Sequence, residues 1–210
     1  MITPEVAQFQ DERTQLSSDI TIDELLEKLV AANIPVEDYG MGAAKTVAHL
    51  LFEIRDGESI VSVDAKGNLL RELSVVCVDV VHKNAEGDVF VLKEDKQVFR
   101  NGSERRRNID TSLGEKMKPG EDPLTAVPRA IKEELGINEG VEAVYFLGFE
   151  ENTHIPDVFP GLESSYALHK YAVIISEDSF KPEGYVEHQA DKTNFFTWRR
   201  IYPTPYEESL

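Results

Sequence analysis

The chain contains one cysteine and no long apolar run. Cys77 cannot form an internal disulfide, and its valine neighbours indicate an ordinary buried thiol in a reducing compartment. The longest apolar stretches, Leu73 to Val81 and Tyr171 to Ile175, are far shorter than the ~20 residues of a membrane-spanning helix. The first residues, Met1 to Arg13, have neither the basic start nor the apolar centre of a signal peptide. We therefore expect a cytoplasmic protein with no membrane partner.

Basic residues are also scarce. The sequence has 22 Lys and Arg residues against 39 Asp and Glu residues, which gives a formal net charge of −17. Such a surface repels phosphate backbones and anionic lipids, so the charge argues against binding to duplex nucleic acid or to a membrane surface. The acidic residues either keep the protein in solution or hold cations, and their spacing has to distinguish these roles.

A length of 210 residues suits one domain with an extension, and the sequence is apolar enough for an ordinary core. Apolar residues at helical spacing predict helices at 21–33, where Thr21 and Glu24 form a capping box, and at 47–54. Beyond residue 59 the period becomes that of strands, at 60–64, 68–73, 73–82, 89–92, 141–149, 166–175 and 194–201. Strands around one central helix, 123–135, predict a mixed α/β or α+β domain.

The central helix carries a group of acids. Asp122 can cap it, Pro123 suits its first position and Gly136 suits its end. The helical spacing predicts a buried stripe of Leu124, Val127, Ile131 and Leu135. A different face then carries Ala126, Ala130, Glu133 and Glu134, with Glu121 in the loop at the helix entrance. Converging carboxylates are the hard oxygen ligands that Mg²⁺ takes when water and phosphate complete its coordination shell.

The segment from Glu115 to Ile137 resembles the Nudix box, G-x5-E-x7-R-E-U-x-E-E-x-G-U, in which U is a bulky apolar residue. The positions that agree in register are Glu121, Arg129, Ile131, Glu133, Glu134, Gly136 and Ile137. Two positions depart from the pattern, because Glu115 stands at the first glycine and Ala130 at the acid after the arginine. The resemblance extends over residues 71–202, which leaves 1–70 as an N-terminal extension of two helices and a hairpin, and 203–210 as a tail.

The resemblance implies a Nudix fold, with a mixed β-sheet sandwiched between helices. It also implies Mg²⁺- or Mn²⁺-assisted hydrolysis of a diphosphate linkage in a nucleoside diphosphate derivative or similar small molecule, by attack of water on phosphorus. By position, it makes Glu133 and Glu134 metal ligands and Glu121 an auxiliary ligand or an acid that orients the helix. Arg129 is expected to orient the glutamates through charge-assisted hydrogen bonds rather than to touch the substrate.

Ala130 removes an acid that commonly binds the metal or activates water in the family. Loss of a general base costs ~10²–10⁴-fold in rate, so a slow or inactive domain is one alternative. A second alternative is a general base on another element, and Glu187 and His188, just before the last strand, are the candidates. A third is that Glu115 reaches the metal in place of the missing side chain. Pro128, inside the helix, predicts a kink before Arg129.

Several arginines crowd a short segment of this acidic chain, namely Arg100, Arg105, Arg106 and Arg107. Arginines beside a metal–phosphate site can hold phosphate with two hydrogen bonds, which makes Arg100, Arg105 and Arg107 candidates for substrate binding. The alternative is an exposed turn whose charge is offset by Glu104.

Two other functions stay open at this point. A Nudix-like module could bind a nucleotide or another diphosphate without turnover, and Ala130 favours that interpretation. An isomerase of the isopentenyl-diphosphate type shares the fold and the metal but typically needs a catalytic cysteine, and the position of Cys77 in a valine-rich strand disfavours it. The N-terminal helices and hairpin would suit the interface of a homodimer.

Overall fold

The computed structural model describes residues 13–107 and 109–201. The tail predicted at 203–210 and the first twelve residues of the extension lie outside the described residues. The chain divides into two compact units, one formed by the residues up to Leu73 together with Asn152–Tyr166, the other by Ser74–Glu151 and the residues from Ala167 onward. The domain boundaries inferred from the sequence stay a prediction.

The N-terminal unit contains two helices, α1 (Ile22–Ala31) and α2 (Val47–Arg55), and the strands β1 (Thr14–Gln15), β2 (Ile60–Val63) and the beginning of β3 (Leu69–Lys83). The capping box predicted at the start of α1 is confirmed, since the Glu24 amide donates to Thr21 Oγ1 and the Thr21 amide donates to Glu24 Oε2. The predicted hairpin is also present, because β2 pairs antiparallel with β3. The apolar core of the N-terminal unit includes Leu25, Leu29, Leu50 and Phe159.

A buried ion pair lies within this N-terminal unit. The guanidinium of Arg71 donates to Glu53 Oε2 through Nε at 3.1 Å and through Nη2 at 2.6 Å, and both side chains are almost fully buried. Lys45 Nζ donates to the other carboxylate oxygen of Glu53 at 2.9 Å. The ring of Phe159 lies 5.0 Å from the Arg71 guanidinium carbon, so the cation also packs against an aromatic face.

The C-terminal unit contains the helix α3 (Pro123–Leu135) and most of the strands. These are the rest of β3, β4 (Val89–Phe99), β5 (Glu104–Arg105), β6 (Leu113–Lys116), most of β7 (Val141–His154) and of β8 (Ser164–Ile175), β9 (Tyr185–His188) and β10 (Lys192–Ile201). Antiparallel pairs join β4 to β3, β5 and β10, β10 to β9, and β3 to β6. Strand β8 pairs with β3 and β7. The core of this unit includes Val76, Val78, Leu92, Ile131 and Val173.

The predicted strands are present, and several are longer than the apolar pattern indicates. Strand β4 continues seven residues past Leu92 to Phe99, through a run of charged and polar side chains. The short strands β5, β6 and β9 were not predicted, because none of them carries an alternating apolar run of its own. Their pairing partners define them instead.

Helix α3 begins and ends where the sequence predicts. Asp122 Oδ1 accepts a hydrogen bond from the Leu124 amide at 2.8 Å, and Gly136 ends the helix with φ +69°, a conformation that glycine adopts without strain. The helix runs unbroken from Pro123 to Leu135 through Pro128.

The predicted faces of α3 need a correction. Leu124 is 60% exposed and does not belong to the buried stripe, whereas Ala126 and Ala130 are fully buried with Val127 and Ile131. Positions 126 and 130 are one helical turn apart, and their small side chains pack in the apolar core of this unit. The stripe is therefore rotated towards the alanines, and Ala130 lies among apolar side chains.

No helix in the described parts of the chain has both the length and the apolar character needed to cross a membrane.

We expect Glu53→Ala to destabilise the protein by about 3 kcal/mol or more, because it leaves the Arg71 guanidinium buried without its counter-charge. Urea unfolding measures the change as a lower midpoint at constant slope. Glu27→Ala, at an exposed position of α1, removes the same charge and should stay within about 0.5 kcal/mol of the unsubstituted protein. Equal midpoints for the two variants would contradict a structural role for the pair.

Candidate functional site

Arg129 is the centre of the acidic loop and helix. Its Nη1 donates to Glu115 on β6 at 2.9 Å and to Glu133 on α3 at 3.2 Å. Its Nε and Nη2 donate to the two carboxylate oxygens of Glu121 in the loop, at 2.9 and 2.8 Å. Nη2 also donates to the Lys116 carbonyl at 2.9 Å. One cation therefore joins three of the predicted acids.

Glu121 is the most enclosed of these three acids, with a side chain that is 9% exposed. Hydrogen bonds from Arg129 lower the pKa of Glu121, and the Lys118 amide, which donates at 2.8 Å, lowers it further. Glu121 therefore stays ionised at neutral pH and links the loop to the helix. The Glu133 side chain is about half exposed.

Glu134 lies in a different environment from Glu133. It is half-buried, and no side chain or amide in the described ranges donates a hydrogen bond to it. Burial raises the pKa of Glu134 to about 8, and the negative charges of Glu187, Glu115 and Glu94 raise it as well. Arg107 acts in the opposite direction. Glu134 is therefore within electrostatic range of Glu187 and of Glu115, each of which the sequence analysis named as a candidate site residue.

A β-bulge shapes the neighbouring strand. The pairing of β4 with β10 skips Asp95, because Phe195 is opposite Lys96 and Phe196 is opposite Glu94. The extra residue changes the alternation of side chains, so Glu94 and Gln97 project from the same face although they are three residues apart. Gln97 Nε2 donates to Glu94 Oε2 at 3.1 Å, and both side chains are buried.

Two of the predicted substrate-binding arginines are held by this pair. Arg107 Nε donates to Glu94 Oε1 at 2.9 Å, and Arg107 Nη2 donates to Glu94 Oε2. Arg105 donates to Gln97 Oε1 through Nε at 3.1 Å and through Nη2 at 2.6 Å. Lys192 is a third cation here, since burial and the charges of Arg107 and Arg105 lower its pKa. Cations and acids therefore lie side by side in this unit.

Other predicted residues lie apart or play a different part. Arg100 is exposed in the turn between β4 and β5, and Arg106 donates to the Asp95 carbonyl at 3.1 Å, beside the bulge. Glu187 lies on strand β9 rather than on a loop, where Asn194 Nδ2 donates to it at 2.5 Å. His188, at the end of β9, is exposed and contacts Thr193 at 3.3 Å.

Four site residues were missed by the sequence analysis, namely Glu94, Gln97, Lys192 and Asn194. All of them lie on β4 or β10. The predicted strand at 89–92 ends before Glu94, and the one at 194–201 begins after Lys192. Nothing in the local pattern marks the bulge that places Glu94 beside Gln97.

The fit of the carboxylates to a divalent cation depends on how many of them converge. Within the described ranges, no three His, Cys, Asp or Glu side chains converge closely enough to enclose a metal ion. Mg²⁺ however takes only one or two protein carboxylates where water and phosphate supply the other ligands. The carboxylate of Glu134, which accepts no hydrogen bond from a described residue and is within electrostatic range of Glu187 and Glu115, fits that kind of open site.

The strand–loop–helix arrangement and its acids define the class of protein. The model of the NUDIX domain matches residues 72–208, which is more than half of the chain. The chain therefore belongs to the Nudix family and has the α/β Nudix fold, which confirms the resemblance and the fold class predicted from the sequence. The matched range includes the loop, α3 and the strands that carry the acids and cations described above.

No curated protein matches the sequence. Among solved structures, the chain is similar to an Ap4A hydrolase of C. elegans, at 16% identity and a TM-score of 0.34, over 61% of this chain and 80% of that one. It is also similar to the dihydroneopterin triphosphate pyrophosphohydrolase of E. coli, at 15% identity and a TM-score of 0.38, over 60% and 78%. A third similar structure is the Nudix domain of Shewanella oneidensis NrtR in complex with ADP ribose, at 11% identity and a TM-score of 0.33, over 61% of this chain and 73% of that one.

We expect Arg129→Lys to destabilise the protein by about 1–3 kcal/mol, because an ammonium cannot bind Glu115, Glu121 and Glu133 together in the geometry of the guanidinium fork. The measurement is chemical unfolding in the absence of divalent metal. Arg199→Lys, at an exposed position of β10, is the matched control and should have no measurable effect. Equal stability of both variants would show that Arg129 does not hold the element together.

Proposed function

We propose that this protein is a metal-dependent hydrolase that cleaves a diphosphate linkage in a nucleoside diphosphate derivative or a similar small molecule. The observation that carries the proposal is the half-buried Glu134 carboxylate on the Nudix helix, to which no described residue donates a hydrogen bond and on which the charges of Glu187 and Glu115 act. Arg107 is within electrostatic range of Glu134, and Lys192 is within electrostatic range of Arg107 and Arg105.

In this proposal Glu134 is the principal ligand of a Mg²⁺ or Mn²⁺ ion, with Glu115 and the partly exposed Glu133 as further carboxylates. Such an ion, when bound, neutralises phosphate oxygens and lowers the pKa of a coordinated water. Glu121 supports the site through Arg129 rather than by direct ligation, because both of its oxygens already accept hydrogen bonds from that guanidinium. Arg129 thus orients the acids, as the family resemblance implies.

The cationic side of the site would bind the phosphate groups of the substrate. Arg107 has two of its nitrogens on Glu94, and Arg105 has two on Gln97, so each guanidinium is held in a fixed orientation. A guanidinium fixed in this way loses little conformational entropy when it binds phosphate. Arg100, which is exposed in a turn, would contact only the distal part of a long substrate.

Glu187 is our candidate for the general base. It is half-buried on β9, and of the surrounding charges it has the largest effect on the pKa of Glu134. Removal of a proton from the attacking water increases its nucleophilicity towards phosphorus. This role would replace the acid that is missing at Ala130.

A second candidate function is a Nudix module that binds a diphosphate ligand without turnover. Ala130 favours it, because the position of an acid that is common in the family is fully buried in the apolar core. In that case the acids and cations would hold the ligand through a metal bridge while no group removes a proton from water.

We expect Glu134→Gln to lower Mg²⁺-dependent turnover at least ~10²-fold, because the amide cannot supply the charge that holds the cation. The assay measures phosphate-containing products from a panel of nucleoside diphosphate derivatives, with Mg²⁺ and then with Mn²⁺. Glu139→Gln, which removes the same charge at an exposed position after α3, is the matched control and should retain full activity.

Two results would count against the proposal. Equal turnover in the two variants would remove Glu134 from the site. Metal-dependent binding of a nucleoside diphosphate derivative by the unsubstituted protein, with no product from any member of the panel, would favour the binding module.

A further inference from the structure

Four polar side chains lie abreast across neighbouring strands of the C-terminal unit. Arg105 on β5 is opposite Gln97 on β4, Gln97 is opposite Asn194 on β10, and Asn194 is opposite Glu187 on β9. Residues that are directly opposite in an antiparallel pair project from the same face of a sheet. Arg105, Gln97, Asn194 and Glu187 therefore form one polar row, which leads from the proposed phosphate-binding cations to the proposed base.

Hydrogen bonds fix the carboxylate at the end of the polar row. Asn194 Nδ2 donates to Glu187 Oε2 at 2.5 Å, and Gln189 Nε2 donates to Glu187 Oε1 at 2.8 Å. Both oxygens of Glu187 thus have a donor. Gln189 is exposed, whereas Asn194 is only 4% exposed, so the bond from Asn194 is the one that water competes with least.

The side-chain amide of Asn194 is held in one orientation although that orientation leaves a buried acceptor without a hydrogen bond. Its Oδ1 is buried and accepts no hydrogen bond from any described residue. Gln97, the neighbour that could donate to it, instead donates to Glu94. Rotation of the amide by half a turn would place Oδ1 against the Glu187 carboxylate, where two acceptors repel. The donor contact with Glu187 therefore determines the orientation of this side chain.

We propose that Asn194 is the positioning residue for Glu187, an inference that rests on the proposed function. Through Nδ2 it holds the Glu187 carboxylate on the face of β9 that also carries Tyr185, a member of the apolar core in which α3 packs. In the proposed reaction, an O–H bond of water breaks and its proton passes to Glu187. The water oxygen bonds to phosphorus while the P–O bond to the leaving phosphate breaks, and the leaving phosphate keeps the electron pair of that bond. Asn194 touches neither the water nor the phosphorus.

Variants that exchange the amide at position 194 and the carboxylate at position 187 test this role. Asn194→Asp keeps the shape but places two carboxylates in contact, so we expect a melting temperature lower by about 4 °C or more and a kcat lower by roughly 10- to 100-fold with KM little changed. In the double variant Asn194→Asp/Glu187→Gln, the amide introduced at position 187 can donate to the carboxylate introduced at position 194. The melting temperature should then recover, while turnover stays lost because no acid remains at position 187.

Asn152→Asp, which adds the same charge at an exposed position, is the control and should change neither quantity. A melting temperature of Asn194→Asp equal to that of the unsubstituted protein, or a normal kcat in that variant, would overturn the inference. If the single variant fails to fold, failure of the double variant to fold would overturn it as well. Absence of turnover in the unsubstituted protein would instead overturn the proposed function, and thermal recovery in the double variant would still report on the contact between residues 194 and 187.

Discussion

The acidic part of this fold depends on the ion pairs and hydrogen bonds of the Arg129 guanidinium. The chain carries a formal charge of −17, and its loop and central helix bring carboxylates together from a strand, a loop and a helix. One guanidinium binds three of them and a backbone carbonyl, so their mutual repulsion is offset where the elements meet. Glu134 stays outside this group. The acids therefore divide into those that Arg129 binds and one, Glu134, that it does not bind.

Local signals explain how much of the fold could be predicted. The first and last residues of α3 follow from Asp122, Pro123 and Gly136, each of which acts on its own few neighbours. The face of the helix was less predictable, because Leu124 and Ala130 lie on adjacent stripes and apolarity alone favours the leucine. The tertiary structure favours the smaller side chain, since alanine allows the helix backbone to approach the sheet closely.

The candidate site was predictable only where it lies on the helix. Glu121, Arg129, Glu133 and Glu134 share one local motif, whereas Glu187 was one of two candidates in its segment. Asn194 is about a hundred residues from Glu94 and Gln97 along the chain, and it meets them only through strand pairing. Their polar character suggests a solvated surface when the sequence is considered alone. Register, rather than composition, makes them neighbours.

The bulge at Asp95 sets the spacing at which two polar residues of β4 share a face. Because of the extra residue, Glu94 and Gln97 share that face at a separation of three residues, and deletion of Asp95 would leave them on the same face two residues apart. During divergence of such a sequence, relatives in which β4 lacks the bulge residue should therefore carry the two polar residues two positions apart instead of three, with the same partners on β10.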